Sequence, residues 1–132
     1  MPDPPQDGRG LESRLVLIVD DDARNLKLAR DVLRAAGFRT LVAGNGTEAG
    51  ALGAEHLPDV ILMDLRLPDM DGTEAARILG DGARTAAIPV VALSAVALDG
   101  DIAWLTRAGF AGYIEKPIDV ESFPYQVRRF CT

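Results

Sequence analysis

The sequence predicts an α/β protein: a doubly wound, five-stranded parallel sheet with helices on both faces. Three features of the pattern carry that reading. Aliphatic runs such as Leu15-Val16-Leu17-Ile18-Val19 and Val60-Ile61-Leu62-Met63 are continuous rather than alternating, as strands covered on both sides should be. Between the runs lie stretches with apolar residues three and four apart. The joining segments are short, which favours crossover connections between parallel strands.

Each element follows in order. The first strand, 15–19, leads to a helix with Leu26, Ala29, Val32, Leu33 and Ala36 on one face and Gly37 as its stop. A second strand covers 40–43. Gly44-Asn45-Gly46 then punctuates the chain before a helix through Ala49 and Leu52, with His56 in the connection beyond it. The third strand, 60–63, ends at Asp64. After a loop with Pro68 and Gly72 comes a helix that Asp71 can cap, with Glu74 reaching back as in a capping box. The fourth strand is read at 89–93, the fourth helix at 98–108, the fifth strand at 112–115 and the last helix at 120–130. Pro124 removes an amide from that last helix, which is expected to start late, with Ser122 or Phe123 as cap, or to kink. Residues 1–13, rich in Pro, Gly and Asp, are expected to form a mobile tail outside a single domain spanning 14–132.

Bulk properties narrow the function. A chain of 132 residues can bury a core without staples. Its net charge of −6 leaves no basic stripe for a nucleic-acid backbone. Cys131 is the single cysteine, so there is no internal disulfide, and a reducing compartment fits. The longest uncharged, mostly apolar stretch, 85–98, is broken by Pro89 and Ser94 and is too short to span a bilayer. The first residues show no basic stretch followed by an apolar one, so secretion is not expected. The expectation is a cytoplasmic protein with neither a nucleic-acid nor a membrane partner.

In doubly wound sheets the functional crevice lies beyond the carboxyl ends of the strands. Four of the five strands end in polar groups there: Asp20 and Asp21 after the first, Asp64 after the third, Ser94 after the fourth and Lys116 after the fifth. Taken singly, the aspartates read equally well as helix caps or loop residues, Ser94 as a structural hydroxyl and Lys116 as a solvated charge. Their joint placement at one edge argues for a site. Close carboxylates repel unless a cation neutralises them, and an all-oxygen set that leaves positions open suits Mg2+ better than zinc or copper. Lys116 brings a compact positive charge that could meet phosphoryl oxygens, and Ser94 a hydroxyl that could donate to the same group.

Residues 15–22 (LVLIVDDD), 61–72 (ILMDLRLPDMDG), 88–95 (IPVVALSA) and 112–118 (GYIEKPI) resemble, in order and spacing, the signature blocks of response-regulator receiver domains of two-component systems. The resemblance runs from about residue 14 to the end and is nearest to stand-alone, single-domain regulators related to the cell-polarity and phytochrome-associated receivers. It implies a flavodoxin-like fold with strand order 2-1-3-4-5. It also implies that Asp64 is the phosphoacceptor. Asp21 would bind Mg2+ directly and Asp20 mainly through water, with the backbone carbonyl of Arg66 completing the set. Ser94 and Lys116 would hold phosphoryl oxygens, Pro117 would follow a cis peptide, and Tyr113 would be the aromatic switch residue. The phosphodonor would be a histidine kinase or a histidine phosphotransfer protein. With no effector domain expected after the last helix, the output would reach a separate downstream protein, or a second copy docked through the fourth helix, fifth strand and last helix.

Some positions depart from the pattern. Asp22 adds a third acid, read as solvent-facing or a step removed from the ion. Trp104 lies off the stripe of Leu98, Ile102 and Leu105, so it should be half exposed and available to a partner. Two rival functions remain. A haloacid-dehalogenase-type phosphatase would use Asp20 and Asp22 as a D-x-D pair, but Arg24 stands where Thr or Val belongs. A docking module without chemistry would not need the full acid set and Lys116.

Overall fold

In the computed structural model, which describes residues 14–94 and 103–131, the strands are β1 (Leu15–Val19), β2 (Arg39–Ala43), β3 (Val60–Asp64), β4 (Val90–Ser94) and β5 (Gly112–Glu115). All pair in parallel, in the order β2-β1-β3-β4-β5. The helices are α1 (Ala23–Ala35), α2 (Gly46–His56), α3 (Gly72–Asp81), α4 (Ala103–Arg107) and α5 (Phe123–Phe130). The expected tail, 1–13, and the first half of the expected fourth helix, 98–102, lie outside the described residues.

Successive strand residues face opposite sides of a sheet, and here both sides are covered. Val16, Ile18, Val60, Leu62, Val91, Leu93 and Ile114 pack against Ala29 and Leu33 of α1 and Phe123 and Val127 of α5. Leu17, Val19, Ile61, Met63, Val90 and Ala92 pack against Ala49 of α2, Ala75, Ala76 and Leu79 of α3, and Leu105 of α4. Each large aliphatic side chain so buried contributes about 1.5–3 kcal/mol. The continuous apolar runs follow from this arrangement, because neither face of the central strands meets water.

Several boundaries differ from expectation, each for a local reason. β4 starts one residue late and takes in Ser94; Pro89, lacking an amide, joins the sheet only through its carbonyl, which accepts from Ile61 N at 3.0 Å. β3 likewise includes Asp64, in register with Leu93. His56 is the last residue of α2 rather than part of the connection, and Leu57 closes the helix in the left-handed region. Pro124 shortens α5, as anticipated: the helix begins at Phe123, with Ser122 at the cap position and the proline in the first turn, where a missing amide costs little. Asp71 stands at the N-cap of α3, but its side chain makes no cap hydrogen bond. Its backbone instead pairs with Arg66 in an isolated antiparallel bridge, and Gly72 N donates to Leu65 O at 2.9 Å. The main chain of the loop, not a capping box, fixes the start of α3.

Gly72 sits where the loop turns back on the end of β3, and a Cβ there would stand 2.3 Å from the Asp64 carbonyl oxygen. Gly72→Ala should therefore destabilise by at least about 1–3 kcal/mol in urea unfolding, through overpacking against main chain. A Cβ on Gly80, in the same helix, meets nothing within 4 Å. Gly80→Ala should be neutral or stabilising by roughly 0.5–1 kcal/mol. Equal effects of the two substitutions would remove the close approach as the reason for Gly72.

Candidate functional site

The carboxyl edge of the sheet gathers the predicted residues. Asp20 follows β1 and is almost fully buried, with its amide donating to Ala43 O at 3.1 Å and so binding the end of β1 to β2. Its Oδ1 accepts from Asp22 N at 2.9 Å and its Oδ2 from Lys116 Nζ at 2.8 Å. Asp21 is exposed. Asp64 Oδ1 accepts from Arg66 N at 3.3 Å, and Asp64 Oδ2 lies 3.4 Å from Lys116 Nζ. Ser94 is buried, and its carbonyl accepts from Lys116 N at 2.6 Å, so β4 positions the lysine backbone directly. The Lys116–Pro117 peptide is cis.

Asp22 has a different task. Its carboxylate accepts from Arg24 N at 2.9 Å and caps α1, which bears out its outward reading. A D-x-D pair of Asp20 and Asp22 is thereby divided: one member faces Lys116 and the other closes a helix.

The electrostatics follow from burial and from Lys116. Removal from water pushes Asp64 above the ordinary aspartate range; the Arg66 amide and Lys116 pull it down, and the charge of Asp20 adds to the rise. Burial works against the Lys116 ammonium, but the Asp20 hydrogen bond and the two carboxylate charges outweigh it and raise its pKa. A carboxylate oxygen from each of Asp20, Asp21 and Asp64 lies within 4.8 Å of the others. Mg2+ takes oxygen ligands and is commonly held by one or two carboxylates with other positions left to water or phosphate. This all-oxygen set could hold the ion, and no sulfur or imidazole belongs to the cluster.

Tyr113, on β5, is exposed, and Trp104, on α4, is half-buried against the core beneath it. Of the stripe from which Trp104 was set apart, Leu105 is buried, while Leu98 and Ile102 lie outside the described residues. Sequence reasoning missed Asp69. Its Oδ1 accepts from Gly46 N at 2.8 Å, and its Oδ2 from Thr47 N at 2.9 Å and Thr47 Oγ1 at 2.7 Å. Those bonds, from the Thr47 hydroxyl first and the two amides next, lower its pKa to about 2. No signal local to Asp69 could have revealed a partner more than twenty residues away.

The sheet is parallel, in the order 2-1-3-4-5, and carries an acid cluster and a lysine at its carboxyl edge. Residues 16–128 match the response regulator receiver domain, and the chain belongs to that family. It is 41% identical over 115 residues to the polar-differentiation response regulator DivK of Brucella anthropi, covering 87% of this chain and 94% of that protein. The receiver domain of the sensor histidine kinase PA1611 of Pseudomonas aeruginosa, solved with a magnesium ion coordinated in its active-site cleft, is 30% identical, with a TM-score of 0.81 over 90% of this chain and 98% of that one. The chemotaxis response regulator CheY4 of Vibrio cholerae, 24% identical over 89% of this chain and 98% of its own, shares the fold with a TM-score of 0.83. Among the described residues, no helix is long and apolar enough to cross a membrane.

The raised pKa of Asp64 gives a stability prediction with a definite sign. A carboxyl group whose folded pKa lies above its unfolded value destabilises the fold when ionised, and that cost vanishes as pH falls through the folded pKa. Without metal, Asp64→Asn should be at least as stable as wild type at neutral pH. Its advantage should shrink on acidification towards the ordinary aspartate range. Urea unfolding of both proteins across that range checks the sign, and an advantage that grows with acid would contradict it.

Proposed function

We propose that the chain is a phosphorylation-driven response regulator whose acceptor is Asp64. The observation that carries this reading is the half-buried Asp64 carboxylate, 3.4 Å from Lys116 and clustered with Asp20 and Asp21 at the carboxyl edge of the sheet. An Asp64 carboxylate oxygen attacks the phosphorus of a phosphohistidine on a histidine kinase or phosphotransfer protein. The O–P bond forms as the N–P bond breaks, and the imidazole leaves and takes up a proton. Asp20, Asp21, Asp64 and the Arg66 carbonyl would hold Mg2+, which supplies charge neutralisation for the phosphoryl oxygens. Lys116 neutralises from the opposite side, and the Ser94 hydroxyl donates to a phosphoryl oxygen. Attack of water on the same phosphorus later returns Asp64 to a carboxylate and releases inorganic phosphate.

The output is a change in shape, because the group that Ser94 and Lys116 grip is present in only one state. Both residues belong to the β4–β5 edge, so the face of α4, β5 and α5 would carry the signal to a downstream protein or a second copy. Trp104 and Tyr113 supply large, rigid side chains there.

Treatment with acetyl phosphate and Mg2+ should give a base-labile phosphate on Asp64, located by mass spectrometry. Asp64→Asn should take up none, and Asp21→Ala should lose Mg2+ binding and phosphorylation together. Ser94→Ala should still be phosphorylated but should switch poorly. A stable phosphate on another residue would sink the assignment.

Trp104 is the only tryptophan, which makes it a reporter of α4. Beryllofluoride with Mg2+ should change its fluorescence in the wild type and leave Asp64→Asn unmoved. Trp104→Ala should weaken partner or self-association by more than about 1 kcal/mol. If emission does not respond and the substitution unfolds the domain, the residue is core and the output surface lies elsewhere.

A further inference from the structure

The β3–α3 loop, residues 65–71, carries the Arg66 carbonyl of the proposed ion site and is held at two places. At its base, Arg66 bridges Asp71 and Gly72 N donates to Leu65 O. At its tip, Asp69 grips the first turn of α2 through Gly46 N, Thr47 N and Thr47 Oγ1. Met70 seals the same contact: a Cβ on Gly46 would stand 2.6 Å from the Met70 Sδ. The tip is therefore fastened by charge-assisted hydrogen bonds to a different helix, which is itself capped independently by Asn45 on Glu48 N at 2.7 Å.

We infer that Asp69 is a positioning residue for the metal site: by tying the loop to α2 it holds the Arg66 main chain in place before an ion arrives. This rests on the reading of Asp64 and its neighbours as a Mg2+-dependent phosphoacceptor site. A free tip would leave Arg66 held by its amide hydrogen bond to Asp64, the bridge to Asp71 and the packing of Leu65 and Leu67, and ion binding would then have to restrain the tip. Ordering on binding weakens affinity without changing the ligand set. Partners that orient metal ligands in this way typically alter affinity by about ten- to a hundredfold when removed. Asp69 touches neither the ion site nor the phosphoryl group, so its loss should appear in Mg2+ affinity and not in the rate at saturating Mg2+.

The test uses the full chain as wild type, Asp69→Ala, Asp69→Asn, Thr47→Val and Asn45→Ala. Mg2+ affinity is read by titration calorimetry, and phosphorylation by acetyl phosphate is followed as Mg2+ is varied. Asp69→Ala should bind Mg2+ about tenfold more weakly yet reach the wild-type rate at saturating Mg2+. Asp69→Asn, which keeps one acceptor oxygen, and Thr47→Val, which keeps both amide bonds, should fall between. Asn45→Ala weakens the same helix end without releasing the loop, and should leave Mg2+ affinity unchanged. Affinity within twofold of wild type in Asp69→Ala would overturn the inference, as would an equal loss in Asn45→Ala. Wild-type protein that binds no Mg2+ and takes up no phosphate would overturn the underlying reading and the inference with it.

Discussion

Everything at the carboxyl edge depends on where Lys116 puts its charge. Its ammonium donates to Asp20 at 2.8 Å and stands 3.4 Å from Asp64, so one cation serves two acids that would otherwise repel. Asp20 is almost fully buried, and an ionised carboxylate there needs a partner of opposite charge. Asp64 receives the weaker share of the lysine and has its pKa raised. The arrangement stabilises the acid that is packed away and leaves the accessible one electrostatically unsatisfied. Such an acid gains from an added cation.

The sheet makes this arrangement rigid. Both faces of β1, β3 and β4 are sealed by helices, and the strand ends are cross-tied by main-chain bonds from Asp20 N to Ala43 O and from Lys116 N to Ser94 O. The acids and the lysine are thus held by backbone that is itself in the core. The side chains beyond the strand ends are what an occupant of the crevice would meet. Ser94 joins the two regimes: its carbonyl orders Lys116, while its side chain stands at the last position of β4, where the strand gives way to the next connection.

Much of this was legible in the residues. Four of the five strands lead into a polar side chain at the carboxyl edge, so the alignment of Asp20, Asp64, Ser94 and Lys116 follows once the strands are parallel and in register. Pro124 announced the late start of α5 because a missing amide is tolerated in a first turn and nowhere deeper. The misreadings share one cause. Asp71 has the residue type and spacing of a cap, but the turn of chain at Gly72 already serves the start of α3, and that turn is visible only in three dimensions. Asp69 has no local signature because both of its partners are on α2. The greater closeness of Lys116 to Asp20 than to Asp64 depends on tenths of an ångström that no sequence pattern encodes.

The loop after β3 shows how chemistry and fold constrain one another. Its close return on Asp64 requires a glycine at position 72, and its tip requires an anion opposite the open amides of α2. Both act on the few residues between Asp64 and the next helix. A segment fastened at both ends transmits displacement better than a slack one, because packed contacts shift between discrete arrangements instead of stretching. A pull exerted at Asp64 would therefore be felt at the start of α2 through Asp69 and at the start of α3 through Gly72. The β4–β5 edge would feel it separately, through Lys116 and Ser94. One small site is thus tied to α2 and α3, which pack beneath the same face of the sheet.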